Sequence, residues 1–225
     1  MLHNSSRQRV VIENVDPEID SGRFPVKKVP GDRVRVRADV FSDGHDRIRA
    51  LLFFRREDAA RWESRPMQHL ANDRWEGWFQ VSRPGFYHYT LQAWVDPFLT
   101  WQEDLRKKFL AGQESELELR IGLGHIRSRL EQDLAFEDRK RLEDWSRAIE
   151  EEKDLERAVH LALSPELADL MSGPPRADLV TSYSLELPVE VDREKAVFSA
   201  WYEFFPRSWS REPGWGPRMW RCWHP

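Results

Sequence analysis

The first hundred residues alternate between apolar and polar positions in short runs that end at turn residues. Residues 33–40 alternate charged and apolar side chains without a break, which predicts a strand with one buried face. Residues 48–54 contain a continuous apolar run, which is typical of a more central strand. Residues 75–81 and 86–95 are separated by Pro84-Gly85 and are predicted to pair as a hairpin. Strands and turns at this density favour an antiparallel β-sandwich of immunoglobulin-like type.

The pattern becomes helical after Asp96-Pro97. Pro97 stops strand pairing, and Leu, Glu, Arg, Lys and Ala dominate the residues that follow. Ser164-Pro165 combines an N-cap residue with a proline at the first helical position, which predicts a further short helix. We therefore expect a small helical bundle. Its apolar stripe is predicted from residues spaced three and four apart: Leu142, Trp145, Ile149, Leu155, Val159 and Ala162.

Strand-like sequence returns at residues 185–191, and helices inserted between strands of one sandwich explain that return. Residues 198–205 are apolar on both faces, which suits a strand buried in a parallel sheet or barrel. The predicted fold class is mainly β with inserted helices: an immunoglobulin-like antiparallel sandwich plus a small helical bundle. The expected segments are a first sandwich part (1–97), an inserted helical domain (98–177), a return to the sandwich (178–195), a strand (196–209) and a tail (210–225).

Composition narrows the possible classes of protein. Hydrophobic residues make up 40% of the 225 and charged residues 33%, which argues for a folded chain, and no apolar run approaches the roughly 20 residues that span a membrane. The N-terminus lacks the apolar core of a secretory signal, so a cytoplasmic location is expected. Thirty-five basic and 39 acidic side chains are interspersed, which gives no footprint for nucleic acid.

Candidate catalytic and metal-binding residues are few. The single cysteine, Cys222, allows no intrachain disulfide and lacks an acid-base partner, and the seven histidines show no helical zinc spacing. Gly122-Leu123-Gly124 lacks the strand-to-helix context of a phosphate loop. Glu150-Glu151-Glu152 is interpreted as a solvated helix face and Asp96 as a turn residue. We therefore assign no catalytic residue, no metal site and no cofactor.

The 11 tryptophans are the unusual feature of the composition. Trp75, Trp78 and Trp94 lie on adjacent predicted strands, where exposed indole rings stack on glucose units in carbohydrate-binding modules. The alternative is that these rings fill the core or an interface, as large aromatics on sandwich strands usually do. The sequence leaves both interpretations open.

Several whole stretches resemble one family. They are residues 9–15 (Arg-Val-Val-Ile-Glu-Asn-Val), 22–27 (Gly-Arg-Phe-Pro-Val-Lys), 72–75 (Asn-Asp-Arg-Trp), 93–96 (Ala-Trp-Val-Asp) with Thr100-Trp101, and 182–184 (Ser-Tyr-Ser) running to Arg207-Ser208. Together they resemble the N-terminal region of α-1,4-glucan:maltose-1-phosphate maltosyltransferases, and the likeness spans residues 9–209.

This resemblance implies a β-sandwich N-domain with a helical insertion, followed by a (β/α)8 catalytic barrel of the α-amylase superfamily. Family members transfer maltosyl from maltose 1-phosphate to the end of an α-1,4-glucan and retain the anomeric configuration, which requires a carboxylate nucleophile and an acid-base. By this likeness, residues 198–205 are the first barrel strand, and residues 210–225 depart from the family, as an out-of-frame reading would produce. One strand cannot close a barrel, so no catalytic position of the family is carried over.

The leading prediction is therefore a scaffold and dimerisation part of the maltosyltransferase that is inactive alone. The resemblance implies a homodimer, with α-1,4-glucan and maltose 1-phosphate as partners of the full-length enzyme. One alternative is a self-standing glucan-binding module that uses Trp75, Trp78 or Trp94. Another is a pure assembly module that presents the apolar residues 198–205.

Overall fold

The computed structural model describes residues 9–113, 115–173 and 177–197. Its strands are β1 (Val10–Asp16), β2 (Val26–Lys28), β3 (Arg33–Ser42), β4 (Ile48–Arg56), β5 (Glu63–Pro66), β6 (Gln68–Ala71), β7 (Arg74–Gln80), β8 (Gly85–Val95), β9 (Thr181–Ser182) and β10 (Leu187–Val191). Its α-helices are α1 (Pro97–Leu110), α2 (Glu116–Leu130), α3 (Phe136–Glu151), α4 (Leu155–Ala162) and α5 (Pro165–Leu170). The predicted segments 198–205 and 210–225 lie outside the described residues.

Two sheets pack face to face. One has the order β1-β3-β7-β6, and the other has the order β2-β10-β8-β4-β5 with β9 paired to β8. The alternation predicted for residues 33–40 is confirmed, because the apolar side chains of Val34, Val36, Ala38 and Val40 are almost fully buried in the core. The tyrosines of β8 face this sheet from the opposite one. Tyr89, for example, packs against Phe79 of β7 with ring centroids 5.9 Å apart. β4 pairs with a strand on each side, as predicted for a central strand.

The predicted hairpin of β7 and β8 is wrong, because these consecutive strands belong to opposite sheets. β7 pairs with β3 and β6, whereas β8 pairs with β4, β9 and β10. The residues between them form an arch across the sandwich. Val81 stays paired with the β2–β3 turn, and the backbone N–H groups of Ser82 and Arg83 donate to the hydroxyl of Tyr87 at 3.3 and 3.2 Å. That hydroxyl satisfies the backbone of the arch in place of a strand partner.

The helices are inserted between β8 and β9. Asp96 ends β8 and caps α1 by accepting a hydrogen bond from the backbone N–H of Leu99 at 3.0 Å. The predicted cap at Ser164 is confirmed, since its hydroxyl accepts from the N–H of Glu166 at 3.2 Å. The predicted stripe is largely confirmed: Leu142 and Val159 are fully buried, but Leu155, at the first turn of α4, is exposed. The chain then returns through β9 and β10, which both pair with β8, the strand it left.

This topology confirms the predicted fold class, mainly β with inserted helices. The apolar interior is divided in two, one cluster between the sheets and the other among the five helices. Each cluster gathers its residues from several elements, so each part has a core of its own.

The joint between the two parts is polar. Arg49 of β4 donates to the carboxylate of Asp96 and, at 3.1 Å, to the carbonyl of Ala168 in α5. Arg47 and Thr100 add a second link, since the N–H of Arg47 donates to the Thr100 hydroxyl at 2.9 Å. Asp96 is 4% exposed, so this ion pair is shielded from water. A buried carboxylate needs such partners, which makes Arg49 and Asp96 the polar tie between sandwich and helices.

Candidate functional site

Trp75 lies half-buried near the open end of the sandwich. It shares the inner side of β7 with Gly77 and Phe79, and its indole N–H donates to the carbonyl of Val40 at 3.1 Å. The ring of His69 on β6 meets it in a T-shaped contact with centroids 5.2 Å apart. These contacts hold the indole in one orientation.

Trp78 lies on the opposite side of β7, on the outer face of the four-stranded sheet, and is 38% exposed. The guanidinium groups of Arg33 and Arg65 lie over its ring, 4.4 and 4.6 Å from the centroid. The ring borders a groove of about 600 Å³ that Lys28, Arg35 and other basic residues make electropositive. A sugar would have to displace a guanidinium group before it could stack on Trp78.

Trp94 is only 2% exposed and presents no usable ring surface to solvent, which corrects its candidacy as a stacking residue. It lies on the outer face of β8, opposite Arg49 in register. Arg49 reaches the carbonyl of Ala168, so the helices cover this end of the sheet. The three predicted tryptophans therefore occupy three different environments and do not form one platform.

The structure instead forms a cavity around Trp75 alone. We call it the joint cavity; its volume is about 300 Å³. It opens where the β3–β4 connection, the β6–β7 turn and the first turn of α1 converge. Its polar walls come from Ser42, Asp46, Arg47, His69 and Asp73, and Ile48 and Leu99 supply apolar surface.

The most buried carboxyl-bearing residues of the described part have structural roles. Asp96 caps α1 and pairs with Arg49. The carboxylate of Glu118 pairs with Lys108, and its backbone carbonyl accepts a hydrogen bond from the indole N–H of Trp101 at 2.8 Å. No group of three or more His, Cys, Asp or Glu side chains within the described ranges is placed to hold a metal ion. None of the described helices is both long and apolar enough to cross a membrane.

Among the described residues, burial is the main cause of the shifted pKa values of three side chains, His125, Tyr183 and Tyr89. Burial lowers the pKa of His125, which lies against Phe98 and Trp101, while the charge of Asp96 opposes that shift. Burial and a hydrogen bond to Glu18 raise the pKa of Tyr183 to about 12. Burial also raises the pKa of Tyr89 well above its ordinary value. None of these side chains lines the joint cavity.

Sequence reasoning missed the joint cavity because its walls come from segments far apart in the chain. The only part of the cavity that a local pattern indicated was the turn at Asn72-Asp73, directly before the strand that carries Trp75 and Trp78. The interpretation of Asp96 as a turn residue is corrected, because Asp96 is the N-cap of α1 and its carboxylate is buried against Arg49.

The two packed sheets, antiparallel except for the parallel pair of β2 and β10, and the inserted helices place this chain in the class of β-sandwiches that carry a helical insertion. Within that class, residues 8–193 match the family described as alpha-1,4-glucan:maltose-1-phosphate maltosyltransferase, domain N/S. The chain belongs to this family, which confirms the resemblance noted in the sequence.

Three relatives illustrate the match, and each bears the name alpha-1,4-glucan:maltose-1-phosphate maltosyltransferase. The protein from Chlorobaculum tepidum is 47% identical over 92% of this chain, and the protein from Myxococcus xanthus is 43% identical over 90%. The protein from Methylacidiphilum infernorum is 38% identical over 92% of the chain. In all three cases the chain spans 31% of the relative's length.

Proposed function

We propose that this chain is the N-terminal, non-catalytic part of an enzyme that transfers maltosyl from maltose 1-phosphate to the end of a glycogen-like α-1,4-glucan. The observation that carries the proposal is the family match over residues 8–193, supported by the sandwich with inserted helices. Most of the length of each relative lies outside the matched region. A cytoplasmic location, expected from the sequence, is part of the same proposal.

The carboxylates of the joint cavity do not suit glycosyl transfer. That reaction needs a carboxylate nucleophile and a second, proton-holding acid whose surroundings keep it protonated. Asp46 is held in an ion pair with Arg9 at 2.7 Å, and Asp73 is exposed to solvent. We therefore expect this chain to bind and assemble rather than to catalyse.

The inactivity is tested with the purified 225-residue chain, maltose 1-phosphate and glycogen. We expect no release of phosphate above the rate without protein. A chain that releases phosphate in proportion to its concentration would overturn this assignment, provided that the activity co-purifies with the chain through two different columns.

The proposed role in assembly is supported by an apolar surface on the first two helices. Leu117 and Ile121 are 61% and 44% exposed and lie one turn apart on α2, and Leu110 at the end of α1 is 79% exposed. Neighbouring exposed apolar side chains, such as Leu117 and Ile121, often mark an interface between subunits. We place the self-association of the chain on this surface.

Sedimentation velocity of the full chain tests this placement. Wild-type protein should sediment as a dimer, and the double variant Leu117→Glu/Ile121→Glu should be monomeric with an unchanged far-UV spectrum, because two charges cannot be buried in an apolar contact. Leu70→Glu is the matched control, since Leu70 is also exposed but lies on β6 of the sandwich. A monomeric wild type, or a double variant that stays dimeric, would contradict the placement.

A further inference from the structure

The joint cavity has the shape of a built site rather than of a surface irregularity. Its walls come from β3, β7, two turns and the start of α1, so the sandwich and the helices both contribute. Asp96 and Arg49 tie these parts together close by, and the Thr100 hydroxyl is bonded to the backbone of Arg47 in the cavity wall. Ligand sites are common at such junctions between structural units.

Trp75 gives the cavity a fixed aromatic wall. Its indole N–H is already bonded to Val40, and His69 braces it from the side, so ligand binding need not order the ring. A rigid aromatic surface of this kind packs against the C–H faces of a sugar ring.

The polar wall offers both acceptors and donors of hydrogen bonds. Asp46 uses one oxygen for Arg9, which leaves further acceptor capacity on its carboxylate. Among the described residues, the side chains of Asp73 and Arg47 have no hydrogen-bonded or ion-paired partner. The hydroxyl groups of a sugar both donate and accept, so they match such a mixed set, whereas a phosphate only accepts when fully ionised.

Charge separates this cavity from the larger groove beside Trp78. In the joint cavity, Asp46 and Asp73 face Arg47, and the neighbouring Arg9 pairs with both Asp46 and Asp43, which leaves the site with a small negative charge that does not favour anions. The groove beside Trp78 carries an excess of basic side chains, which favours anions. The volume of about 300 Å³ lies at the lower end of ligand pockets, with room for about one or two sugar rings.

We propose that the joint cavity binds a terminal segment of a neutral α-1,4-glucan, with a glucose ring against Trp75 and its hydroxyl groups bonded to Asp46, Arg47 and Asp73. The choice of glucan rests on the proposed function of the chain, whereas the neutral-sugar chemistry rests on the cavity itself. Such a site would hold the polymer on the sandwich, away from the place where its end is extended.

Titration of the ¹⁵N-labelled full chain with maltotriose, followed by its indole N–H resonances, tests the location. The Trp75 resonance, assigned with the variant Trp75→Phe, should shift with saturable dependence on maltotriose, while the Trp78 resonance should not. Cellotriose, which has the same composition but β-linkages, is the control for selectivity toward the α-linkage. A shift at Trp78 without one at Trp75, or no shift at either, would overturn the proposal.

A pair of double variants tests the polar wall by calorimetry with maltotriose. Arg47→Ala/Asp73→Ala should weaken binding by about tenfold, because a hydrogen bond to a charged group is lost. Arg61→Ala/Asp133→Ala changes the same two residue types at exposed positions outside the cavity and should leave the affinity within about twofold. Equal affinities for both double variants would refute the site.

The outcome of the maltotriose experiments does not depend on the outcome of the sedimentation experiment, which tests the proposed role in assembly. A chain that binds maltotriose at Trp75 but stays monomeric supports the glucan site and contradicts the assembly role. A dimer whose Trp75 resonance does not respond supports assembly and contradicts the site.

Discussion

Gly122→Ala is the substitution whose effect the structure defines most sharply. Gly122 lies in α2 beneath the indole of Trp101, and a Cβ at this position would stand 2.6 Å from Cε2 of that ring and closer still to two further ring carbons. Trp101 is buried, and its indole N–H is bonded to the carbonyl of Glu118. The ring therefore cannot move aside without straining or breaking that hydrogen bond.

The change in the free energy of unfolding is the sum of one stabilising and two destabilising contributions. Alanine in place of glycine inside a helix favours folding by about 1 kcal/mol. Overpacking in a well-packed core costs about 1–3 kcal/mol, and a weakened buried hydrogen bond between Trp101 and Glu118 costs about 1–3 kcal/mol more. We expect Gly122→Ala to lower the free energy of unfolding by about 3 kcal/mol.

Urea unfolding followed by far-UV circular dichroism measures this change. Gly124→Ala is the control, because it lies two residues along the same helix and, among the described atoms, none lies within 4 Å of an added Cβ. That variant should be more stable than wild type by up to about 1 kcal/mol. If Gly122→Ala proves as stable as Gly124→Ala, the close packing of α1 on α2 is refuted.

Three further predictions concern charged and titratable groups. Asp96→Ala should cost about 3 kcal/mol in chemical denaturation, because it removes a helix cap and takes away the ion-pair partner of Arg49. Asp96→Asn, which keeps a capping oxygen, should cost less, and equal losses would contradict the capping role. Burial lowers the pKa of His125 from 6.5, so the unfolded chain binds more protons and stability should fall as the pH drops below about 6.5. His125→Asn should weaken this dependence in thermal melts at several pH values, and an unchanged slope would count against it. Burial raises the pKa of Tyr183 to about 12, so the folded chain keeps a proton that the unfolded chain loses, and this contribution to stability should decline as the pH rises above about 10. Burial also raises the pKa of Tyr89, so denaturation of Tyr183→Phe across that range should show a smaller decline than wild type rather than none. In the difference between the tyrosinate absorbance of native wild type and of Tyr183→Phe, the signal of Tyr183 should appear above its ordinary pKa; ionisation near the ordinary value would contradict the hydrogen bond of Tyr183 to Glu18.

Five of the ten described strands were predictable because a local period or an apolar run marks each of them: β3, β4, β7, β8 and β10. The other five were not predicted. Alternation in residues 33–40 corresponds to β3, and the apolar run in 48–54 lies in β4. The helix start at Ser164 was equally readable, since a capping residue followed by proline satisfies the first turn locally. Asp96 has the same pattern but was interpreted as a turn residue, so its cap was missed. The family resemblance came from whole segments, not from these periods.

Partners across space were not predictable in the same way. A short connection between two strands serves a hairpin or an arch equally well, and only the placement of Tyr87 and Val81 in the folded sandwich decides that β7 and β8 separate. Likewise, a tryptophan on the polar side of a strand looks exposed in the sequence. Trp94 is buried because the inserted helices cover that end of the sheet.

The sequence by itself therefore determined about half of the described strands, the change to helices after Pro97, the mainly β class with inserted helices, and the family, because periodicity, caps and segment identity are properties of neighbouring residues. Tertiary structure alone decided which sheet each strand joins, which tryptophan is accessible, and where a cavity forms. The joint cavity brings together Ser42, Asp73 and Leu99, which are dozens of residues apart in the chain. Contacts of that kind depend on how the sandwich packs against the helices, and no pattern of neighbouring residues in the sequence predicts this packing.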